Sequence, residues 1–349
     1  MRKRYSIWLF LLTSNFCITS LYAQTPLITD TFRVMSYNVE NLFDCKHDSL
    51  KNDHEFLPNS IRKWTHSRYK QKLLRISQTI AAVGENRLPD LIGLCEVENE
   101  KTMRDLTRYS PLKKAGYKYL ITHSPDERGI DVALLYQPHR FQILHQEEIR
   151  IPSQRLNQRP TRNILHASGR LITGDTLHIF VCHFPSRSGG TKKSYPFRCL
   201  ATNMLKQKVD SLFSIRTSTK ILVMGDFNEY PNSPLFTEVL QTQLPSDSIP
   251  PQSTSLYNLM SRLSGGTYRY QGEWGIFDQI LVSGTLFVKD NSLTVSPSLA
   301  HIANFPFLLE EDKRYGGKQP FRTYHGMKYK GGYSDHLPVY VDLLMFYGN

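Results

Sequence analysis

The stretch Ile221-Leu222-Val223-Met224-Gly225-Asp226-Phe227-Asn228 decides how this 349-residue chain is read. Four apolar residues run unbroken into a glycine, an acid, an aromatic ring and an amide. Runs of that kind are strands buried on both faces, and in layered α/β proteins the chemistry gathers beyond strand ends. Five more stretches follow the same plan, at residues 32–41, 91–96, 179–183, 274–280 and 334–339. Each is expected to run as a strand and stop at an acid, amide or imidazole. One polar strand end is ordinary. Six, all drawn from Asn, Glu, His and Asp, make up the parts of a metal-assisted hydrolase.

Helical periodicity lies between these strands. Tyr69, Leu73, Ile76, Ile80 and Val83 share one face over residues 67–83, with Gly84 placed to stop the helix. Pro196 is placed to open a second helix, with Leu200, Met204 and Leu212 on its apolar stripe beside Cys199 and Lys208. Shorter helices are expected over 101–108 and 233–240, and further strands over 117–121, 132–136, 141–148, 164–171 and 281–282. Residues 241–255, with Pro245, Pro250 and Pro251, read as a surface loop. No internal repeat and no Pro-, Gly- or Ser-rich linker divides the chain, so one mixed α/β or α+β domain is expected over residues 24–349.

The N-terminus is read apart from the fold. Arg2, Lys3 and Arg4 precede Ile7-Trp8-Leu9-Phe10-Leu11-Leu12, and Ala23 offers a small cleavage residue, the layout of a signal peptide over residues 1–23. The apolar run is short for a bilayer span, so a periplasmic or secreted protein is expected. Removing those three basic residues lowers the formal net charge from +12 to +9. That excess draws polyanions: nucleic acid, anionic lipid surfaces or phosphorylated sugars. Cys45, Cys95, Cys182 and Cys199 remain, with no CxxC pair. Cys95 and Cys182 directly precede Glu96 and His183 on strands and so face the other way, into the core. Buried thiols are expected, and zinc is disfavoured.

Brought together, the polar ends divide the labour of a hydrolysis. Glu40, Glu96 and Asp335 are oxygen donors with no thiolate among them, a set suited to Mg²⁺ or Mn²⁺. Asp226 can orient and deprotonate the attacking water, with Asn228 holding that water or the phosphate. His336 is the candidate phosphate contact, with Asp278 to fix its tautomer. His183 is left to protonate the departing oxygen.

SYNVEN, LCEVEN, CHFPS, GDFN, FDQI and SDHLP, in this order from residue 32 to 342, resemble the endonuclease/exonuclease/phosphatase superfamily, and its deoxyribonuclease I-like branch in particular. The resemblance implies a four-layer α/β/β/α sandwich with the site at one end of two packed sheets. It also implies roles. Asn38 matches the first-strand asparagine, Glu40 a secondary metal ligand and Glu96 the principal one. His183 matches the histidine of the deoxyribonuclease-like branch. Asp226 and Asn228 match the water-activating pair, and Asp278, Asp335 and His336 the terminal set. Arg128, within Glu127-Arg128-Gly129, resembles a basic residue that touches substrate phosphate. The remaining histidines, among them His47, His54, His145, His166 and His178, have no motif around them and are expected to be packed residues.

Two regions are candidates for choosing the substrate. Arg187 opens a flexible basic loop, residues 187–195, beside His183. Residues 301–333 mix Phe305, Phe307, Tyr315, Phe321, Tyr324, Tyr329 and Tyr333 with lysines and arginines, a combination that single-stranded nucleic acid uses and that a self-packed loop also shows. A sequence-nonspecific nuclease is the first expectation. The alternative is a phosphodiesterase or phosphatase of lipid headgroups or phosphorylated small molecules, like a sphingomyelinase or an inositol phosphatase. Against it, Trp274 and Asp278 stand without the Cys and Arg of a 5-phosphatase stretch, and no Trp-rich hairpin suggests membrane docking. A binder without catalysis fits poorly, because no role is vacant.

Overall fold

The computed structural model describes residues 27–156, 159–246, 250–288 and 291–348, so the expected signal peptide lies outside the described residues. Twelve strands form two six-stranded sheets. They are β1 (Leu27–Leu42), β2 (Leu91–Val97), β3 (Lys118–Ile121), β4 (Asp131–Tyr136), β5 (Phe141–Ile149) and β6 (Ile164–Leu171), followed by β7 (Thr176–His183), β8 (Lys220–Asp226), β9 (Leu256–Asn258), β10 (Asp278–Ser283), β11 (Leu293–Ile302) and β12 (Val339–Gly348). One sheet has the order β11-β12-β1-β2-β4-β3 and the other β5-β6-β7-β8-β10-β9.

Period-two alternation sorts the side chains into three apolar layers. Phe32 and Val34 of β1, Leu91 and Cys95 of β2, and Leu222 and Met224 of β8 fill the layer between the sheets. Their alternates Met35, Tyr37 and Val39, with Ile92 and Leu94, face the helices α1 (His66–Gly84) and α2 (Glu100–Arg108). Ile221 and Val223 face α3 (Thr191–Ile215) across the other sheet. The result is the four-layer α/β/β/α sandwich. The sheets approach so closely at Gly93 that a β-carbon there would lie 2.8 Å from the Met224 methyl group. Cys95 and Cys182 are fully buried, as their place before Glu96 and His183 requires.

Three expectations need correction. α3 begins at Thr191, not at Pro196: the proline withholds a donor only from the Lys192 carbonyl, and the turn before it is held by Ser194 hydroxyl bonds to the Gly190 and Thr191 carbonyls and an Arg198 bond to the Thr191 carbonyl. Its buried stripe is Ala201, Leu205, Val209 and Phe213, which places Leu200, Met204 and Leu212 on the flanks. Asp278, Asp335 and His336 do not end strands: Asp278 opens β10, and the other two precede β12. They reach the same rim because β10 and β12 run antiparallel to β8 and β1, so strands that end there and strands that start there share one edge.

Candidate active site

Local backbone devices bring the polar side chains out at that rim. β7 and β8 are parallel and end in register, His183 beside Asp226, while Asp278 pairs with Asp226 from the antiparallel side. Gly225 makes this possible: at φ 141° its missing β-carbon would sit 1.9 Å from the Cys182 carbonyl oxygen. Glu96 is a bulge residue. Cys95 pairs with Val132 and Val97 with Asp131, leaving Glu96 extra, at φ 66°. Glu40, Asn41 and Asn228 also adopt positive φ, an outlier cluster of the kind that marks working sites.

Asp226 Oδ2 is the hub. It accepts a hydrogen bond from Asn38 Nδ2 at 3.0 Å and lies 3.7 Å from His336 Nε2 and 3.8 Å from His183 Nε2. Its other oxygen accepts the Asn228 N–H at 2.8 Å. His336 Nδ1 meets Asp278 Oδ2 at 2.7 Å, both groups buried. Glu96 Oε2 accepts the Asn41 N–H at 2.9 Å, which leaves Oε1 toward His183 Nε2 and Arg128 Nη2, each 3.9 Å away. Arg322 Nη2 donates to Asp335 Oδ2 at 2.7 Å.

Burial and neighbours push these groups apart in proton affinity. Burial, opposed by the His336 charge and reinforced by Asp278, lifts Asp226 to about 7. Burial acts against the His336 imidazolium, yet the Asp278 and Asp226 carboxylates outweigh it and hold the ring's affinity well above its ordinary value. Burial, then Arg162, Arg128 and His336, keeps His183 well below, so its ring is neutral. Burial works to raise Asp335, but Arg322 and His336 bring it below the usual carboxylate value.

Glu40 is turned elsewhere. Its Oε2 accepts the Thr323 N–H at 2.6 Å and its Oε1 the Tyr324 N–H at 3.4 Å, with Lys72 Nζ 4.0 Å and Arg322 Nε 3.6 Å away. The left-handed turn at Glu40 and Asn41 points this carboxylate at the 322–324 loop, so among the expected ligands Glu96 and Asp335 are the ones that line the cavity.

That cavity encloses about 930 Å³ above the rim and takes in Glu96, Arg128, His183, Arg187, Asp226, Asn228, Asp335 and His336. Sequence reasoning missed its aromatic wall, Tyr230, Tyr268, Tyr270 and Phe277. Apart from the exposed Tyr315, the aromatics of 301–333 instead pack on one another, as in the stacked Phe305–Phe307 pair, and against α1, where Arg75 lies over Tyr333. Also missed were Arg162 and Glu229. Glu229 holds Arg198 Nε at 3.1 Å and Arg187 Nη2 at 3.2 Å, and Arg187 lies over the Tyr230 and Phe277 rings. Only the position of Glu229, directly after the GDFN run, hinted at a part in the site.

The model of the endonuclease/exonuclease/phosphatase family matches residues 33–345. Comparison with curated protein sequences returned no match. Among solved structures, a protein of that family from Bacteroides thetaiotaomicron is 15% identical, with a TM-score of 0.58 over 91% of this chain and 99% of that one. A mannosyl-6-phosphatase from the same organism is 16% identical, with a TM-score of 0.54 over 89% and 99%. D. rerio TDP2 in complex with a single-stranded DNA product is 15% identical, with a TM-score of 0.52 over 90% and 98%. At these identities the likeness is one of fold.

Proposed function

The chain belongs to the endonuclease/exonuclease/phosphatase family, and on that premise we propose that it is a metal-dependent nuclease that cuts nucleic-acid phosphodiesters without sequence preference. The observation that carries this reading is a trough. A second cavity of about 630 Å³ adjoins the first and shares Arg128, Arg162, Ser186, Ser188 and Gly189 with it. Lys193 adds positive charge beyond the reacting centre, where Arg159 and Arg162 are held by Glu127 and Asp126 at 3.2 and 3.3 Å, and the aromatic wall flanks it. A chain of phosphates needs cations on both sides of the scissile bond and rings for its bases. A lone monoester needs neither.

Glu96 and Asp335 would hold the cation, Mg²⁺ or Mn²⁺. The fit rests on the donor set: carboxylate oxygens without thiolate, and a Glu96 oxygen left without a hydrogen-bond donor. When bound, such an ion offsets charge on the phosphoryl oxygens. Asp226, poised near neutrality, takes a proton from the attacking water, which Asn38 and Asn228 help to place. The His336 imidazolium, anchored by Asp278, sets a fixed positive charge against the phosphate. His183 enters neutral and donates a hydrogen bond to the departing oxygen. As the P–O bond breaks, that hydrogen bond strengthens on the developing charge; the alkoxide takes its proton from solvent, and Asp226 returns to solvent the one it took from the attacking water, so the site ends each turnover as it began. The signal-peptide reading places this activity in the periplasm or outside the cell; an intact Met1 terminus on protein recovered from the cell envelope would contradict that.

The test is a substrate panel: plasmid, linear and single-stranded DNA, RNA, bis(p-nitrophenyl) phosphate and p-nitrophenyl phosphate, with Mg²⁺, Mn²⁺ or chelator. Nicking or digestion that chelator stops, and that Glu96→Gln and His336→Ala abolish, is expected. Rapid turnover of a phosphomonoester, a lipid headgroup or inositol phosphates with nucleic acids intact would favour the phosphatase reading instead.

A further inference from the structure

We infer that His47, Asp53 and His54 form a second cation site, for a divalent transition-metal ion of the zinc class, separate from the catalytic centre. Each of the three offers one ligand atom, and these atoms lie within 4.8 Å of one another. Asp53 is only 1% exposed, and its two oxygens have different tasks. Oδ2 accepts the Asp48 N–H at 2.8 Å, which fixes the carboxylate plane; Oδ1 faces His47 Nδ1 at 2.5 Å. A backbone bond to the far oxygen is how proteins orient a ligating acid. The His47 and His54 rings lie 4.5 Å apart, tilted by 31°.

Two imidazoles and one carboxylate, with solvent on the open side, suit zinc or cobalt, whereas Mg²⁺ prefers an all-oxygen set. A hydrogen bond between His47 and Asp53 now lies where an ion would sit. Replacing that proton moves the two ligand atoms to the separation of about 3.3 Å that bonds near 2.0 Å demand at tetrahedral zinc. Charge around the cluster favours a cation. Asp48, whose N–H holds Asp53, adds a carboxylate beside the cluster, and Asp44 is close by, its N–H bonded to Glu98 Oε2 at 2.6 Å, while Glu98 itself keeps its proton and adds no charge. Of the neighbouring lysines, Lys101 reaches Asp44 only at 3.9 Å, and Lys51 is turned away to the Ser124 and Asp126 carbonyls, each at 2.9 Å. The comparable group His145, Glu147 and His166 lacks this opening, because Lys208 Nζ already sits 2.6 Å from Glu147 Oε1.

The location gives the site a purpose. Lys51 and the Asn52 N–H, which donates to the Glu127 carbonyl at 2.7 Å, latch this segment to the loop that carries Arg128. An ion tying His47 to His54 closes the segment on itself and stiffens the support of a cavity-lining arginine. Sequence reading disfavoured zinc for want of paired cysteines; here the ligands are histidine and aspartate.

The experiment titrates Co²⁺ and then Zn²⁺ into the metal-stripped full chain, following cobalt absorption bands and binding heat. Wild type is compared with His54→Ala, His47→Ala/His54→Ala and Glu96→Gln. His54 is exposed, so its loss leaves the core intact. One zinc equivalent is expected, weakened by about tenfold or more in His54→Ala, lost in the double variant and retained in Glu96→Gln. The inference is overturned if wild type takes up no zinc at roughly 100 µM, the weak end of specific binding. It is equally overturned if the histidine variants bind like wild type, or if Glu96→Gln alone removes the zinc. None of these outcomes depends on which phosphoester is cleaved.

Discussion

Replacing Glu229 by alanine should destabilise the protein by about 3–5 kcal/mol, because it leaves a buried charge without its partner. Arg198 is fully buried and Glu229 is 3% exposed, with Nε and Oε2 at 3.1 Å. At an effective dielectric near 20, a unit pair at that distance is worth roughly 5 kcal/mol, and the solvent that could compensate its loss is excluded. The Ser194 hydroxyl at 2.9 Å is a neutral partner and cannot replace the carboxylate. A domain of this size shifts its melting temperature by roughly 2 °C per kcal/mol, so a fall of about 6–10 °C is expected by calorimetry or circular dichroism. The double variant Glu229→Ala/Arg198→Met removes both charges and should recover more than half of the loss. Arg187 also loses its partner in Glu229→Ala, so KM for DNA should rise even at temperatures where the variant is fully folded. A loss below about 1 kcal/mol, or no recovery in the double variant, would refute the claim that this pair is a buried, solvent-excluded one.

Asp278→Asn keeps the shape of the His336 contact and removes its charge; kcat should fall by about 10²–10⁴ at temperatures where the variant is fully folded, and steady-state kinetics showing less than a tenfold loss would deny Asp278 that role. Burial first, then Asp44, Asp53 and Asp48, lifts Glu98 to about 8. Between pH 4.5 and 8 the folded state therefore keeps a proton that the unfolded chain has released, and stability falls as pH rises through that window. Glu98→Gln removes this dependence, so its advantage over wild type in chelated samples should grow by roughly 2–4 kcal/mol from pH 5 to pH 8, as read from denaturant midpoints at the two pH values. Gly225→Ala drives a β-carbon into the Cys182 carbonyl and should cost more than about 4 kcal/mol, visible as loss of soluble protein or of a cooperative melt.

Much of the site was legible because strand alternation is local. Knowing that Cys182 faces the core is enough to send His183 the other way, and an apolar run ending in GDFN announces a strand and its rim. Legibility ended where pairing direction mattered. Asp278, Asp335 and His336 precede their strands, and only the antiparallel placement of β10 and β12 brings them to Asp226. The aromatic wall was sought at 301–333 and lies at Tyr230, Tyr268, Tyr270 and Phe277. Nothing in a basic, aromatic stretch says whether its rings meet solvent or one another.

The chain's own order of residues determined the layers, the family and the set of candidate groups, because apolar period and motif chemistry are written within a few residues of each other. Tertiary structure alone decided which carboxylates converge. Glu40 carries the same chemistry as Glu96, but a left-handed turn sends one to the 322–324 loop and a bulge sends the other into the cavity. The protonation of His183 and His336 divides in the same way. Two imidazoles of equal intrinsic affinity separate because one is buried beside arginines and the other against two carboxylates, and those neighbours arrive from other elements of the chain, distant in sequence.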